Sequence, residues 1–371
     1  MESRLLKTLK EGASSTTDKI LWARAVCRIA SHFARQGEAS RSLQAIADVR
    51  AAFDNRLQPE VACWLMLAEG ILHFCQMQPS EAYDRAKRAL AIAQALNFKD
   101  AIPTCAAWMA HLEFNECKYV PMIANLDLAL TAIEPSDHQA GGRASLVIAD
   151  AFHFCGDFAS ARPWYERCRL HATSEGDETT LSAMLHNVAA FRASNVRLSD
   201  AFGIVDEIEA RRATVQAQSA SSFDGALGTV ALSLLVPLLQ GQLLVVEKKF
   251  LEALSIFQSI DRVRLHQRLV PILLIDTALC LSKLEQRDSA VLVLGESIAL
   301  VESIPERDDF AYASARIAQV ASMCNEQQIV DHWISRASMA IESHKKTQLW
   351  LLAELRKLGP FPANAEIFRP K

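Results

Sequence analysis

Residues 149–165 read ADAFHFCGDFASARPWY, and the spacing inside this stretch decides the fold. Gly156-Asp157-Phe158 interrupts an apolar pattern of helical period, and a second helical pattern follows at once. The stretch reads as helix, tight turn, helix, with Ala149 and Ala161 standing twelve residues apart on either side. Similar interruptions recur at Gly37-Glu38, Pro79-Ser80-Glu81, Lys118-Tyr119, Arg197-Leu198-Ser199-Asp200, Lys249-Phe250 and Arg287-Asp288-Ser289. Aligning the helices that follow gives the column Ser42, Ala82, Met122, Ala161, Ala201, Ala253, Ala290, His332. Twelve residues earlier stands a second column: Ala30, Gly70, Ala110, Ala149, Ala189, Gly241, Ala278, Val320. A small residue at a fixed place on each helix lets two antiparallel helices cross closely, with no side chain between them. Most intervals are 37 to 42 residues, and one, between Ala201 and Ala253, is 52.

The repeat resembles the tetratricopeptide repeat (TPR), whose eighth and twentieth motif positions correspond to the two columns. Phe158, Ala161 and Tyr165, and again Phe250, Ala253 and Phe257, are similar to the aromatic–Ala–aromatic part of that motif. The resemblance covers residues 17 to 342. It departs from the family in its period of about 40 rather than 34, in the missing early Trp, and in Pro163, which is expected to kink the second helix of repeat four or delay its start. The implied fold is all-α, a right-handed α-α superhelix of about eight helix pairs. Residues 1–16 form an N-terminal segment and 17–212 repeats one to five. Residues 213–224 (ATVQAQSASSFD) read as an insertion, either linker or helix extension. Repeats six to eight with a C-terminal helix follow over 225–357, and 358–371 is an extended tail carrying Pro360, Pro362 and Pro370. An irregular helical bundle is the alternative architecture.

Composition agrees with this class and removes others. The 371 residues include only 13 Gly and 12 Pro, below the roughly 12% of average usage, which disfavours turn-rich β folds and disorder. A net charge of −4 leaves no electrostatic footprint for nucleic acid. Residues 225–246 contain no charge and are long enough to span a bilayer, but Pro237, Gln240, Gly241 and Gln242 in their second half argue for a buried helix instead. No signal peptide is visible, and nine scattered cysteines without a CxxC pair suit reduced thiols, so a cytoplasmic location is expected. His153, Cys155, Cys168 and His171 match no zinc spacing, and no metal or cofactor is expected.

Function is less legible. No GxGxxG, P-loop, HExxH or GxSxG string is present. The TPR resemblance implies that first helices line a concave face, with their second, fifth, ninth and twelfth positions pointing inward. On this register the candidate binding residues are Trp64, Leu67, Phe74, His111, Phe114, Arg143, Asp150, His153 and His186. Aromatics, imidazoles and one acid/base pair suit an extended or helical peptide, although large aromatics at helical spacing more often belong to a core. These positions hold no Lys, unlike the chaperone-binding TPR class. Asp150, His153 and His186 form the one acid/base set an enzyme could use. The inward positions of later repeats are apolar (Leu235, Leu238, Val245, Ile272, Ile275, Leu279) and require a cover: tight closure, the C-terminal tail, a partner helix, or a second copy in a homodimer. The expectation is a non-enzymatic scaffold or adaptor that binds another protein or peptide. The alternative is a regulatory protein that senses a peptide or small ligand and docks to an effector.

Overall fold

The computed structural model describes residues 3–54, 56–228 and 235–358. These are helical, with no strand among them. Helix α1 (Arg4–Ser15) precedes antiparallel pairs: α2 (Lys19–Gln36) with α3 (Ala39–Ala52), α4 (Pro59–Cys75) with α5 (Pro79–Ala95), α6 (Ile102–Asn115) with α7 (Tyr119–Ala132), and α8 (His138–Phe154) with α9 (Phe158–Glu175). Then follow α10 (Glu178–Ala201) and α11 (Glu207–Leu227), α12 (Leu235–Val246) and α13 (Phe250–Ser259), α14 (Val270–Lys283) and α15 (Arg287–Leu300), and α16 (Arg307–Met323) and α17 (Gln327–Leu355).

Seven of the turns inside pairs are built alike. Gly37, Met77, Cys117, Gly156, Lys248, Glu285 and Asn325 all take positive φ, each two residues before the second helix begins. The amide that follows donates back five residues, as in Glu38 N to Phe33 O and Asp157 N to Phe152 O, closing the preceding helix. Five of these seven residues are not glycine, which is why the turns were visible in the sequence only through the residues around them.

Both small-residue columns lie where helices cross. Ala30, Ala110, Ala149, Ala189 and Ala278 are fully sealed, as are Ser42, Ala82, Met122, Ala253 and Ala290. At Gly70 a Cβ would lie 3.1 Å from the Ala82 carbonyl oxygen, so α4 and α5 touch through backbone. At Gly241 it would run into the Phe257 ring. Leu in place of Ala161 or Ala253 is therefore expected to cost about 1–3 kcal/mol by overpacking, read as a fall in thermal midpoint. An unchanged midpoint in both variants contradicts the crossing.

The structure corrects the register in two places. In the eighth pair the fourth residue of the second helix is Val330, and twelve earlier stands Ala318, both buried; His332 is exposed. The pair is regular, and the alignment on Val320 and His332 was two residues late. In the fifth pair Arg197–Asp200 are not a turn but the last turn of α10; the chain reverses at 202–206. Residues 213–224 are not a linker: they lie inside α11, and Ala213, Ala217 and Ala220 form a buried stripe at helical spacing. The extra length of this pair resides in two long helices. Pro163 does not delay α9, which begins at Phe158, with Asp157 capping the Ser160 amide at 3.0 Å.

The described residues divide into two compact units. One comprises residues up to 184 with 226–228 and 351–358, the other 185–225 with 235–350. In the first, Leu5, Leu6 and Leu9 of α1 cover Ile29 and Phe33 of α2. In the second, Leu238, Val245, Ile272, Ile275 and Leu279 lie in the unit's own core, so the apolar first helices find cover within it. The tail beyond 358 lies outside the described residues, as do 229–234 of the uncharged stretch. No helix among the described residues is long and apolar enough to cross a membrane.

Candidate functional site

In the N-terminal unit the first helices α4, α6 and α8 bring Phe74, His111 and Arg143 together. Their common neighbour is Trp108, one turn before His111 on the same helix. The Phe74 and His111 rings meet edge to face at 4.9 Å, and Trp108 meets His111 at 5.5 Å. The Arg143 guanidinium lies over the Trp108 ring, 4.0 Å from its centre. Burial pushes the His111 pKa well down, Arg143 adds to the effect, and its Nδ1 is sealed without a hydrogen-bond partner. The imidazole is therefore neutral at pH 7.

Arg143 is 5% exposed, and it makes no hydrogen bond and no ion pair with the described residues. Burial draws its pKa down to about 10, with Arg35 adding to the fall and Asp177 opposing it, so it stays charged at neutral pH. The nitrogens sealed from solvent without a partner include His111 Nδ1 but none of Arg143, whose guanidinium keeps a narrow contact with solvent. The two charged groups that act on it, Arg35 and Asp177, are paired with each other. Arg35 donates to Asp177 at 2.8 Å and to Thr180 at 2.9 Å, and Arg28 pairs with Glu175. These bonds tie α2 to the junction between α9 and α10.

The remaining candidates fall into separate places. Asp150 and His153 are joined by a residue of the next helix: the Tyr165 hydroxyl donates to Asp150 Oδ1 at 2.8 Å and lies 3.1 Å from His153 Nδ1. Trp64 and Leu67 are core residues, 3% and 2% exposed, with the Arg24 guanidinium 4.9 Å from the Trp64 ring. Phe114 packs with Tyr119 and Phe154 beside the α6–α7 turn. His186 belongs to the other unit, where burial lowers its pKa against the pull of Asp224.

Among solved structures the chain is similar to the crystal structure of Rap protein complexed with competence and sporulation factor. The match covers 92% of each chain at a TM-score of 0.58 and 12% identity. The fold is a TPR-like helical repeat. No protein-family model and no curated protein matches the sequence.

Within this TPR-like frame the sequence reading missed Trp108, Arg35 and Asp177, and took Tyr165 only as a motif aromatic. Trp108 precedes His111 by three residues and so shares its helix face; that spacing was a usable signal. Arg35 and Asp177 are 142 residues apart, and no local pattern links them.

The C-terminal unit treats its first-helix charges differently. Arg197 pairs with Asp309, and Arg316 with Asp200 at 2.5 Å, both guanidinium groups flanking Tyr312. Gln319 donates to the Ala201 carbonyl at 2.7 Å. Thus α10 closes onto α16. A cleft of about 950 Å³ beside it is lined by Phe202, Val205, Lys248, Met323 and Ile334 among others, and its Lys248 is already bound to Asp200. No group of three or more His, Cys, Asp or Glu among the described residues is placed to hold a metal ion. The nine cysteines are free.

Proposed function

We propose that this chain is a non-enzymatic binding protein that holds another protein or peptide against the first-helix face of its N-terminal unit. The observation that carries the reading is the convergence of Phe74, Trp108, His111 and Arg143 from three consecutive first helices, with none of the Arg143 nitrogens sealed from solvent. Arg143, 5% exposed and without a carboxylate partner among the described residues, is a costly residue to keep in a face that serves the fold alone. Aromatic side chains around it offer contact area at low entropy cost. The likeness to a protein of this fold solved with a bound factor supports the reading. Catalysis has little support: Asp150 and His153 are engaged with Tyr165.

The test is selection of binders from a random peptide display library, followed by affinity measurement on variants. Phe74→Ala is expected to weaken the selected peptides by about 30-fold, and Ile334→Ala, in the other unit, to leave them unchanged. Equal losses in both variants, or a loss only in the second, refute the placement. The neighbour's factor, named for competence and sporulation, also favours a regulatory version of the reading, in which binding alters docking to an effector. Small-angle scattering with and without a selected peptide separates the two, since a sensor changes its dimensions and a static scaffold does not.

A further inference from the structure

We propose that the cleft in the C-terminal unit is a binding site for a small single-chain amphiphile with a monoanionic head, a molecule of the fatty-acid class. The inference goes beyond the binding role proposed above and does not rest on it, since Phe74, Trp108, His111 and Arg143 all belong to the other unit.

The cleft of about 950 Å³ reaches the C-terminal ends of four first helices, with Ala201 of α10, Val245 of α12, Lys283 of α14 and Met323 of α16 in its wall. It lies beside the closure of α10 onto α16, and its lining residues belong to one unit. Its volume stands at the upper end of the range for small-ligand sites. Four of its large apolar side chains, Phe202, Val205, Met323 and Ile334, are 36–58% exposed. Single exposed apolar residues are ordinary on a protein surface. Four of them around one cleft form a patch that gains free energy when an apolar body covers it.

The polar groups define the rest of the ligand. The charges in the lining are three cations, Lys248, Lys283 and Arg316, and a single carboxylate, Asp200. Asp200 binds Arg316 and Lys248 together, so one negative charge is shared by two positive ones. Lys283, the exposed last residue of α14, forms no ion pair with the described residues. The cleft therefore carries surplus positive charge, and an anionic head is attracted where a cationic one is repelled. The carbonyls at the helix ends do not reverse this preference. Turn amides already close them: Lys249 N donates to Leu244 O, Gln286 N to Leu281 O and Glu326 N to Ala321 O, each at 2.9 Å. Two neutral polar side chains of the lining are also engaged, Gln319 with the Ala201 carbonyl and Ser338 with the Ile334 carbonyl. The complementary molecule thus has one charged end, met by the Lys283 ammonium, and an apolar body without further polar atoms.

The test uses the full chain carrying isotope-labelled methionine methyl groups, with the Met323 resonance assigned by its loss in Met323→Leu. Decanoate, kept below its micelle concentration, is expected to shift that resonance saturably in the submillimolar range. Octanoate, with two methylenes fewer to bury, is expected to bind about tenfold more weakly. At the same chain length, 1-octanol and octyltrimethylammonium are expected to be at least about threefold weaker than octanoate. Lys283→Gln is expected to remove the preference for octanoate over 1-octanol and to keep the dependence on chain length. Val205→Asp, at an exposed position of the wall, is expected to abolish the shift with the thermal midpoint unchanged. Lack of a saturable shift with decanoate, a response that Val205→Asp leaves intact, or octyltrimethylammonium binding as tightly as octanoate overturns the assignment. A Met323 resonance that moves with protein concentration and not with decanoate overturns it too, and places a second copy of the chain in the cleft.

Discussion

Replacing Asp200 with Ala should destabilise the C-terminal unit by about 3–5 kcal/mol, more than any single large-to-small change on the protein's surface. Asp200 and Arg316 have side chains 3% and 4% exposed and stand 2.5 Å apart. Lys248 binds the other carboxylate oxygen at 2.5 Å from a more exposed position. Lys248 can return to water when Asp200 is lost; Arg316 cannot. It is left with the neutral side chains of Tyr312 and Gln319 and no carboxylate bound to it, and the cost is that of a poorly compensated buried charge rather than of one lost contact. The double variant Asp200→Leu with Arg316→Met should recover much of the loss, because no charge then remains buried. Hydrogen exchange of the α14 and α16 amides, which reports opening of this unit, measures both variants. A change below 1 kcal/mol in Asp200→Ala means that α10 does not close onto α16 as described.

The same ion pair explains where the sequence misled. Arg197-Leu198-Ser199-Asp200 has the composition of a turn, and in six other repeats a polar or glycine cluster does mark the reversal. Here the polar residues are there to pair with Asp309 and Arg316, 112 and 116 residues away. Composition at one place in a chain cannot distinguish a polar turn from half of a buried charge set. The crossing columns, by contrast, were legible because they record a backbone constraint: at Gly70 a Cβ would stand 3.1 Å from the Ala82 carbonyl oxygen and 3.2 Å from the Ala86 amide nitrogen, tighter than side chains ordinarily pack. The helical nature of 213–224 was also written in the sequence, as alanines at 213, 217 and 220, but the Gln and Ser residues between them obscured the period.

On the proposed binding face, the inward positions taken from the TPR resemblance include residues that meet and residues that do not. Phe74, His111 and Arg143 meet, whereas Trp64 and Leu67 turn into the core. A fixed set of four positions per helix ignores how each helix rotates on its neighbours, and repeats of 37 to 40 residues need not share one rotation. Trp108 was omitted for that reason, although it is the ring on which Arg143 rests. That Arg143 has no carboxylate partner among the described residues was beyond any local reading, since it depends on every segment that could have reached it.

The last expected result concerns acid. His171 of α9 is 8% exposed, and its ring packs so closely on α8 that a Cβ at Gly141 would lie 2.6 Å from its Cε1. Burial pulls its pKa down to about 4, and His138, with Nδ1 atoms 3.1 Å apart, and Arg167 pull in the same direction. In the unfolded chain the same imidazole titrates near 6.5. Between pH 6.5 and 4 the unfolded state therefore binds a proton that the folded state does not, so stability falls as pH falls across that window. It changes little from this group above about 7 or below 4. The slope approaches about 1.4 kcal/mol per pH unit, and the loss across the window is about 2–3 kcal/mol after allowing for the ring's residual contact with water. Other groups oppose it, notably Asp308, whose pKa burial and Asp309 raise to about 7, so the total pH profile does not isolate His171. The difference between the native chain and His171→Asn does. The variant should differ from the native protein by a constant amount above pH 7 and gain on it steadily from pH 6.5 to pH 4, measured by urea unfolding at each pH. Parallel profiles mean that the imidazole protonates freely in the folded state and that the packing of α9 against Gly141 is looser than described.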